Sequence, residues 1–170
     1  HGARLSRIVF DNVKINEEHI LGYHLSPIQR GMMAVMKTFN RMRPGVAAFA
    51  IGHAQAVIDY IETYFTKNIE QSRAIGMLNA ELLSARKLLY KSAALVDIDP
   101  TESSYASFAK IKATEIAEKA TEYITSLNDI LYIEHPLLMK WYQDVYGYEY
   151  MEGTSHMQLK NIYNGFINGR

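Results

Sequence analysis

The sequence predicts an all-α protein: an antiparallel up-and-down four-helix bundle with a short N-terminal strand remnant. Long segments whose apolar residues recur every three or four positions predict helices. Short polar links join these segments, which favours antiparallel neighbours in a bundle. At 170 residues the chain is long enough for one domain with a single core. We assign residues 1–22 to the end of a preceding β-structured domain and its linker, and residues 23–170 to the bundle.

The N-terminal segment RIVFDNVKI alternates apolar and polar residues as a strand does, with Ile8, Phe10, Val13 and Ile15 as its apolar positions. An isolated strand is not stable, and the rest of the sequence offers it no partner sheet. We therefore expect the chain to be a piece of a longer protein that contains this sheet. The first residue, His1 rather than Met, favours the same expectation.

Five helical segments follow, at 27–67, at 72–96, at about 105–127, after Pro136, and from near Thr154 to the end. The first has apolar residues on more than one face, which predicts a central helix contacted from two sides, with Pro44 as a kink or boundary. The second has one apolar face, and the break DIDPTESS separates it from the third. The residues expected to face inward in the first and third helices are Phe39, Met42, Val46, Phe49, Ala50, Ala54, Val57, Ile58, Ile61, Phe65, Tyr105, Phe108, Ile116, Ala120, Tyr123 and Leu127.

The composition argues against several functional classes. Lys plus Arg and Asp plus Glu each number 18, so the net charge is zero and gives no electrostatic basis for nucleic-acid binding. The chain has no cysteine, which excludes disulfides, a thiolate nucleophile and cysteine zinc sites, and which fits a reducing cytoplasm. No apolar run approaches the ~18–20 residues that span a bilayer. We therefore expect a cytoplasmic protein with no membrane span and no nucleic-acid partner.

Metal-binding and nucleotide-binding motifs are missing from the sequence. Di-iron bundles use Glu-x-x-His on two helices, a pattern that does not occur here, and the six histidines are scattered. We therefore expect no metal site. His53, on the first long helix, is interpreted as a packed or hydrogen-bonded side chain. The nucleophile elbow, the phosphate loop and the dinucleotide fingerprint do not occur either.

The stretch YMEGTSHMQ, at residues 150–158, is the remaining candidate for chemistry. Its structural interpretation is a helix start, because Ser155 and Gln158 have the spacing of a capping box and Glu152 would favour the positive helix end. The alternative interpretation is that Glu152 is a catalytic carboxylate beside Gly153. Spacing alone does not decide between the two.

Four segments point to a known family through their order and spacing. They are VFDNVKINEEHILG, FNRMRPGVAAFAIGHAQAVIDY, YASFAKIKATEIA and EHPLLMKWYQDVYGYEYMEGTS. Together they resemble the C-terminal helical domain of the acyl-CoA dehydrogenases. In that family the glutamate of Glu-Gly-Thr removes the α-proton of an acyl thioester, and the β-hydrogen leaves as hydride to N5 of FAD. The resemblance gives Glu152 the role of this base, while Met42 stands where some members carry the base instead.

The same resemblance implies the other parts of the site. It places three residues near FAD, namely Gly153, Thr154 and His156. It places three residues near the substrate channel and the base, namely Phe39, Asn40 and Arg43. It implies an acyl thioester on coenzyme A or a carrier protein as substrate, a homodimer or homotetramer, and an electron-transfer flavoprotein as partner.

Three departures from the family pattern concern FAD and the final helices. The segment YFTKNIEQSRAIG lacks the family's Arg-x-x-Phe-Gly turn, which reaches the FAD of a neighbouring subunit. The family's Gln-x-x-Gly-Gly-x-Gly positions are Ser126, Asp129, Ile130 and Tyr132, and the usual arginine of its Arg-Asp pair is Gln143. Side chains at former glycine positions obstruct close backbone approach, and Asp129 repels phosphate.

Three functions follow from these observations. We predict an FAD-dependent acyl-CoA or acyl-carrier dehydrogenase, of which this chain is the C-terminal domain and which is inactive without the rest. The alternative is a non-catalytic relative that serves assembly or acyl-group binding and has lost FAD, which explains the missing motifs. The third is another flavin chemistry, such as monooxygenation or thioester oxidation by O₂, by analogy of fold alone.

Overall fold

The computed structural model describes residues 6–127 and 134–167, and every regular element within them is helical. In chain order these are a 3₁₀ turn at Glu17–His19 and helices α1 Pro27–Arg30, α2 Met32–Tyr64, α3 Ile69–Ile98, α4 Ser104–Ser126, α5 Pro136–Val145, α6 Gly147–Tyr150 and α7 Ser155–Ile167. Only residues 65–68 and 99–103 join the three longest helices, and links this short reverse the chain direction. The predicted all-α, antiparallel four-helix bundle is confirmed, with α2, α3, α4 and α7 as its main helices.

The strand remnant predicted at the N-terminus is not formed in the structure. Residues 6–16 have no regular secondary structure, and the side chains of Ile8, Phe10 and Ile15 are 73%, 77% and 66% exposed. A strand needs a hydrogen-bonded partner, and the described residues contain no other strand to supply one. The domain boundary at residue 22 stays a prediction.

The first predicted helix is divided at Gly31 rather than at Pro44. Ser26 caps the short helix α1 by accepting a hydrogen bond from the Gln29 backbone N–H, and α2 begins after Gly31. Helix α2 then continues through Pro44, which is buried. Proline removes one hydrogen bond from a helix interior, and packing of the buried residues around it offsets that loss.

Helix α4 is the most enclosed helix of the described chain. It contacts α2, α3, α5 and α7. Helix α2 contacts α1, α3, α4 and α5, which confirms that it is covered from more than one side. The core between the three longest helices consists of Ala47, Ala50, Ile51, Ala54, Val57, Ile58, Ile61, Ile75, Leu78, Leu82, Ala85, Leu89, Ala109, Ala113, Ile116, Ala117, Ala120 and Ile124.

Three residues that were predicted to face inward lie on the surface instead. Met42, Phe49 and Phe108 are 53%, 62% and 42% exposed. An apolar stripe has the same periodicity whether the same chain covers it or not, so the pattern could not separate these residues from the core. The prediction was therefore wrong for these three positions.

His53 is a hydrogen-bonded histidine, as the sequence predicted. Its Nε2 lies 3.2 Å from the Thr121 hydroxyl oxygen, and that hydroxyl donates to the Ala117 carbonyl at 2.7 Å. The Thr121 oxygen therefore accepts from Nε2–H, which leaves Nδ1 to accept from the Tyr148 hydroxyl at 3.4 Å. Burial lowers the pKa of His53, and the charge of Asp144 offsets part of this effect.

We expect His53 to make the protein less stable as the pH falls. Its pKa in the folded state lies below the ordinary value of 6.5, so the unfolded state takes up the proton first. The stabilisation from the neutral ring is therefore complete above about pH 6.5 and is lost as the pH falls towards the lowered pKa. Between about pH 7.5 and pH 5.5, the free energy of unfolding measured in urea should fall less for His53→Gln than for the wild type. Equal losses would contradict this expectation.

Candidate active site

Glu152 lies in the segment 151–154, which links α6 to α7. The backbone is in the left-handed region at two successive residues, with φ of +54° at Glu152 and +96° at Gly153. Glycine adopts this conformation freely, whereas an L-residue with a side chain is destabilised there by roughly 1–2 kcal/mol. Surrounding contacts must therefore hold Glu152 in place.

Two buried side chains from different helices donate to the main-chain carbonyl of Glu152. Gln158 Nε2, on α7, donates to it at 2.9 Å, and Arg43 Nε, on α2, donates to it at 3.4 Å. Gln158 Nε2 also donates to the Gly153 carbonyl at 2.8 Å. Because Gln158 and Arg43 are 0% and 2% exposed, these donors are fixed by the core. The two side chains hold the strained backbone and so define where the Glu152 carboxyl group lies.

Arg43 connects this segment to the rest of the bundle. Its Nη1 donates to Asn40 Oδ1 at 2.5 Å, and Asn40 Nδ2 donates to the Thr101 carbonyl at 3.4 Å. Burial lowers the pKa of Arg43, while the negative charge of Glu152 raises it. A guanidinium group keeps its proton at neutral pH, so Arg43 places a buried positive charge beside Glu152.

The carboxyl group of Glu152 is half-buried, and one of its oxygens has no hydrogen-bond partner within the described residues. Buried carboxylate oxygens are normally paired, and each exception needs an explanation. An unpaired carboxylate oxygen can accept a proton from a bound molecule. The site therefore leaves one carboxylate oxygen free to accept from a bound molecule.

The structure brings together four of the residues predicted for the site, namely Glu152, Gly153, Arg43 and Asn40. Phe39, which precedes Asn40 on α2, is half-buried. Thr154 is half-buried, and its carbonyl accepts the Gln158 N–H at 3.0 Å. His156 is exposed on the first turn of α7.

The capping box predicted between Ser155 and Gln158 is not formed. The Ser155 N–H and hydroxyl donate to the two carboxylate oxygens of Glu149 at 2.8 and 2.7 Å, and Gln158 turns back towards the loop carbonyls. A carboxylate is a stronger acceptor than a neutral amide oxygen, which explains why Ser155 donates to Glu149 rather than to the side chain of Gln158. The carboxylate at the start of α7 is therefore that of Glu149 and not that of Glu152.

Lys110 also reaches this segment, and sequence analysis missed it. The residue is 0% exposed, and its Nζ donates to the Glu149 carbonyl at 2.8 Å and lies 3.6 Å from Glu149 Oε2. Burial lowers the pKa of Lys110, and the charge of Glu149 raises it. Burial also raises the pKa of Glu149, but hydrogen bonds from Ser155 and the charge of Lys110 outweigh this effect and lower it. Lys110 lies outside the face predicted to be inward in the third helix. The available signal was its helical spacing from Ala106, Ala113 and Ala117, which are buried.

We expect Gly153→Ala to destabilise the protein by roughly 1–2 kcal/mol, the difference that a side chain makes in the left-handed region. The new Cβ would also lie 3.1 Å from Gln158 Nε2, which holds the loop. Gly76→Ala is a matched control, because a Cβ there meets nothing within 4 Å and the residue lies inside α3. The control should be more stable than the wild type by about 0.5–1 kcal/mol. Urea unfolding measures the free energy of unfolding of both variants. Equal changes in the two would contradict the role of the left-handed backbone at Gly153.

Within residues 6–127 and 134–167, no three His, Asp or Glu residues are grouped so that they could hold a metal ion. No helix in this part of the chain combines the length and the apolar character needed to cross a membrane.

Comparison with known proteins identifies the family. The family model described as acyl-CoA dehydrogenase, C-terminal domain, matches residues 29–167. A 3-(aryl)acrylate reductase of Clostridium sporogenes is 32% identical, over 98% of this chain and 46% of the relative. A caffeyl-CoA reductase-Etf complex subunit of Acetobacterium woodii is 32% identical, over 92% of this chain and 43% of the relative.

A solved structure shares both the fold and part of the sequence. The glutaryl-coenzyme A dehydrogenase glutaryl-CoA complex superposes with a TM-score of 0.73 and 25% identity, over 85% of this chain and 40% of that chain. The chain thus spans less than half the length of the relatives it matches. Fold, order of segments and family match agree, and the chain belongs to the acyl-CoA dehydrogenase family, with the fold of its C-terminal helical domain.

Proposed function

We propose that this chain is the C-terminal domain of an FAD-dependent oxidoreductase that acts on the Cα–Cβ bond of an acyl thioester, with Glu152 as the base. The observation that carries the proposal is the unpaired, buried oxygen of Glu152, on a backbone that Arg43 and Gln158 hold in the left-handed conformation. Family membership supports the reaction class.

This segment leaves an acceptor free for a bound molecule, because one Glu152 oxygen has no partner within the described residues. A Cβ at Gly153 would meet Gln158 and Met157 rather than open space, so the proposal of a flavin here rests on family membership. We propose that Gly153, Thr154 and His156 line the flavin. FAD, when bound, supplies the acceptor for the β-hydrogen as hydride.

We propose that the rest of the FAD site comes from outside the described residues. Helices α2 and α3 are joined by residues 65–68, which leave no room for the family's Arg-x-x-Phe-Gly turn. Ser126, at a former glutamine position, uses its hydroxyl to donate to the Tyr123 carbonyl. The remaining departures, Asp129, Ile130 and Tyr132, lie outside the described residues.

The proposed role of Glu152 is to take the α-proton of the thioester. Its fixed backbone aims the carboxylate, and the half-buried site limits the access of water. Arg43 provides a buried positive charge beside the carboxylate, and Asn40 holds the guanidinium. In the reverse direction, the same carboxyl group returns the proton to the α-carbon. The names of two relatives describe reductases, which supports including this reverse direction in the proposal.

The substrate, the partners and the location belong to the same proposal. The glutaryl-CoA in the similar structure supports a coenzyme A thioester, with an acyl carrier protein as the alternative carrier. The Etf complex in the name of one relative supports an electron-transfer flavoprotein as partner. Family membership supports a homodimer or homotetramer, and the exposed Phe49 on α2 offers an apolar side chain for such an interface. A cytoplasmic location rests on the cysteine-free composition.

A visible absorption spectrum of the full-length protein, purified without added flavin, tests this function. We expect a flavin band that an acyl thioester bleaches under anaerobic conditions. A colourless protein that takes up no added FAD would overturn the proposal and favour the non-catalytic alternative, which the short link at residues 65–68 supports. Oxygen uptake without an electron-transfer partner would instead favour the third function, a flavin oxidation by O₂.

A further inference from the structure

We propose that Lys110 and Glu149 are positioning residues that keep Glu152 in place by holding the segment between α6 and α7. This inference rests on the proposed role of Glu152 as the base. Neither residue touches the reacting atoms in this proposal. Both act through the backbone that carries the base.

Glu149 connects the two ends of the segment through one carboxylate. It lies on α6, before Glu152, while both of its carboxylate oxygens accept hydrogen bonds from Ser155, the first residue of α7. Residues 150–154 are thereby closed into a short loop with Glu152 at its centre. Closing the loop restricts the conformations that compete with the strained backbone at Glu152.

Lys110 fixes this closed loop to the most enclosed helix of the bundle. Its side chain is fully buried on α4, and its ammonium group contacts both the carbonyl and the carboxylate of Glu149. The other charged groups that act on it are Glu118 and Arg43. A buried cation without its partner is strongly unfavourable, so Lys110 and Glu149 depend on each other.

Two exposed lysines on α4 also form ion pairs, one within α4 and one with α3, and they provide a comparison for the buried pair. Lys112 lies 2.6 Å from Glu115, and Lys119 lies 2.7 Å from Glu81, both shorter than the 3.6 Å between Lys110 and Glu149. Yet the side chains of these shorter pairs are 44–57% exposed, and exposed ion pairs contribute little. Burial, rather than distance, distinguishes the pair at the loop.

The test compares Lys110→Met and Glu149→Gln with the matched control Lys112→Met in the full-length protein. One measurement is the rate of anaerobic flavin bleaching at saturating thioester, together with the thioester concentration that gives half of that rate. The other is hydrogen exchange of the backbone amides at residues 150–154. We expect both variants to bleach about 100-fold more slowly, because the base is displaced. The half-saturating concentration should change little, and loop exchange should rise about tenfold.

The remaining outcomes of these experiments decide the inference. Lys110→Arg keeps the positive charge and should recover part of the lost bleaching rate. A role in packing alone predicts no such recovery. If Lys110→Met does not fold, Glu149→Gln carries the same test, because Glu149 is only half-buried. Variants that fold but match Lys112→Met in rate and exchange would overturn the inference. If no thioester bleaches the wild-type flavin, the proposed function fails. Hydrogen exchange at residues 150–154 tests the pair independently, and unchanged exchange in Lys110→Met and Glu149→Gln would overturn its role.

Discussion

Replacing Glu152 with glutamine should abolish most of the acyl-thioester turnover of the full-length protein while leaving flavin binding and the fold intact. Glutamine has nearly the same shape but cannot accept the α-proton, and removal of a general base typically slows a reaction about 10²- to 10⁴-fold. The main-chain hydrogen bonds from Arg43 and Gln158 do not involve the Glu152 side chain, so the loop should keep its conformation. The rate of anaerobic flavin bleaching by the thioester measures the loss.

Glu115→Gln is the matched control for this experiment. Glu115 is also a glutamate within this domain, but it is paired with Lys112 on the exposed surface. Its substitution should leave the bleaching rate and the flavin content unchanged. A Glu152→Gln variant that bleaches as fast as the control would contradict the role of the base. Loss of flavin together with activity would instead assign Glu152 a structural role.

Arg43→Met should reduce both stability and activity. Arg43 is buried, and its removal leaves Asn40 Oδ1 without its donor and Glu152 O with Gln158 alone. An unsatisfied buried acceptor costs about 1–3 kcal/mol, which urea unfolding can measure. Loss of one of the two donors that hold the Glu152 backbone should also displace the carboxylate and slow flavin bleaching about 100-fold.

Arg41→Met provides the comparison for Arg43→Met. Arg41 lies on the same helix two residues earlier, but its side chain is exposed. We expect its substitution to change the free energy of unfolding by no more than about 0.5 kcal/mol. If Arg43→Met were as stable and as active as Arg41→Met, Arg43 would have no part in holding the loop.

The sequence predicts burial correctly where other helices of the described chain cover an apolar face. In α3, the sequence predicts a single apolar face, and the structure buries it at Ile75, Leu78 and Leu82, because α2 and α4 cover it. The same periodicity fails at Met42 and Phe49, because nothing in the described chain buries these side chains. Helical spacing defines an apolar face but not the surface that covers it.

The candidate site is less predictable from the sequence because its contacts are not local. Arg43 and Glu152 are 109 positions apart, and Lys110 and Glu149 are 39 positions apart, so no short spacing pattern contains either pair. Glu152 could be singled out as a base only through the resemblance to a family, since its spacing also fitted a helix cap. The structure assigns the cap to Glu149, which leaves an oxygen of Glu152 unpaired.

Exchange of the α-hydrogen of an acyl thioester with solvent deuterium tests the proposed role of Glu152 most directly, because it reports proton removal without hydride transfer. The measurement uses the full-length protein under anaerobic conditions, with mass spectrometry of the recovered thioester. We predict deuterium at the α-carbon with the wild type and with Glu115→Gln, and almost none with Glu152→Gln. Equal incorporation with wild type and Glu152→Gln would contradict the assignment of Glu152 as the base.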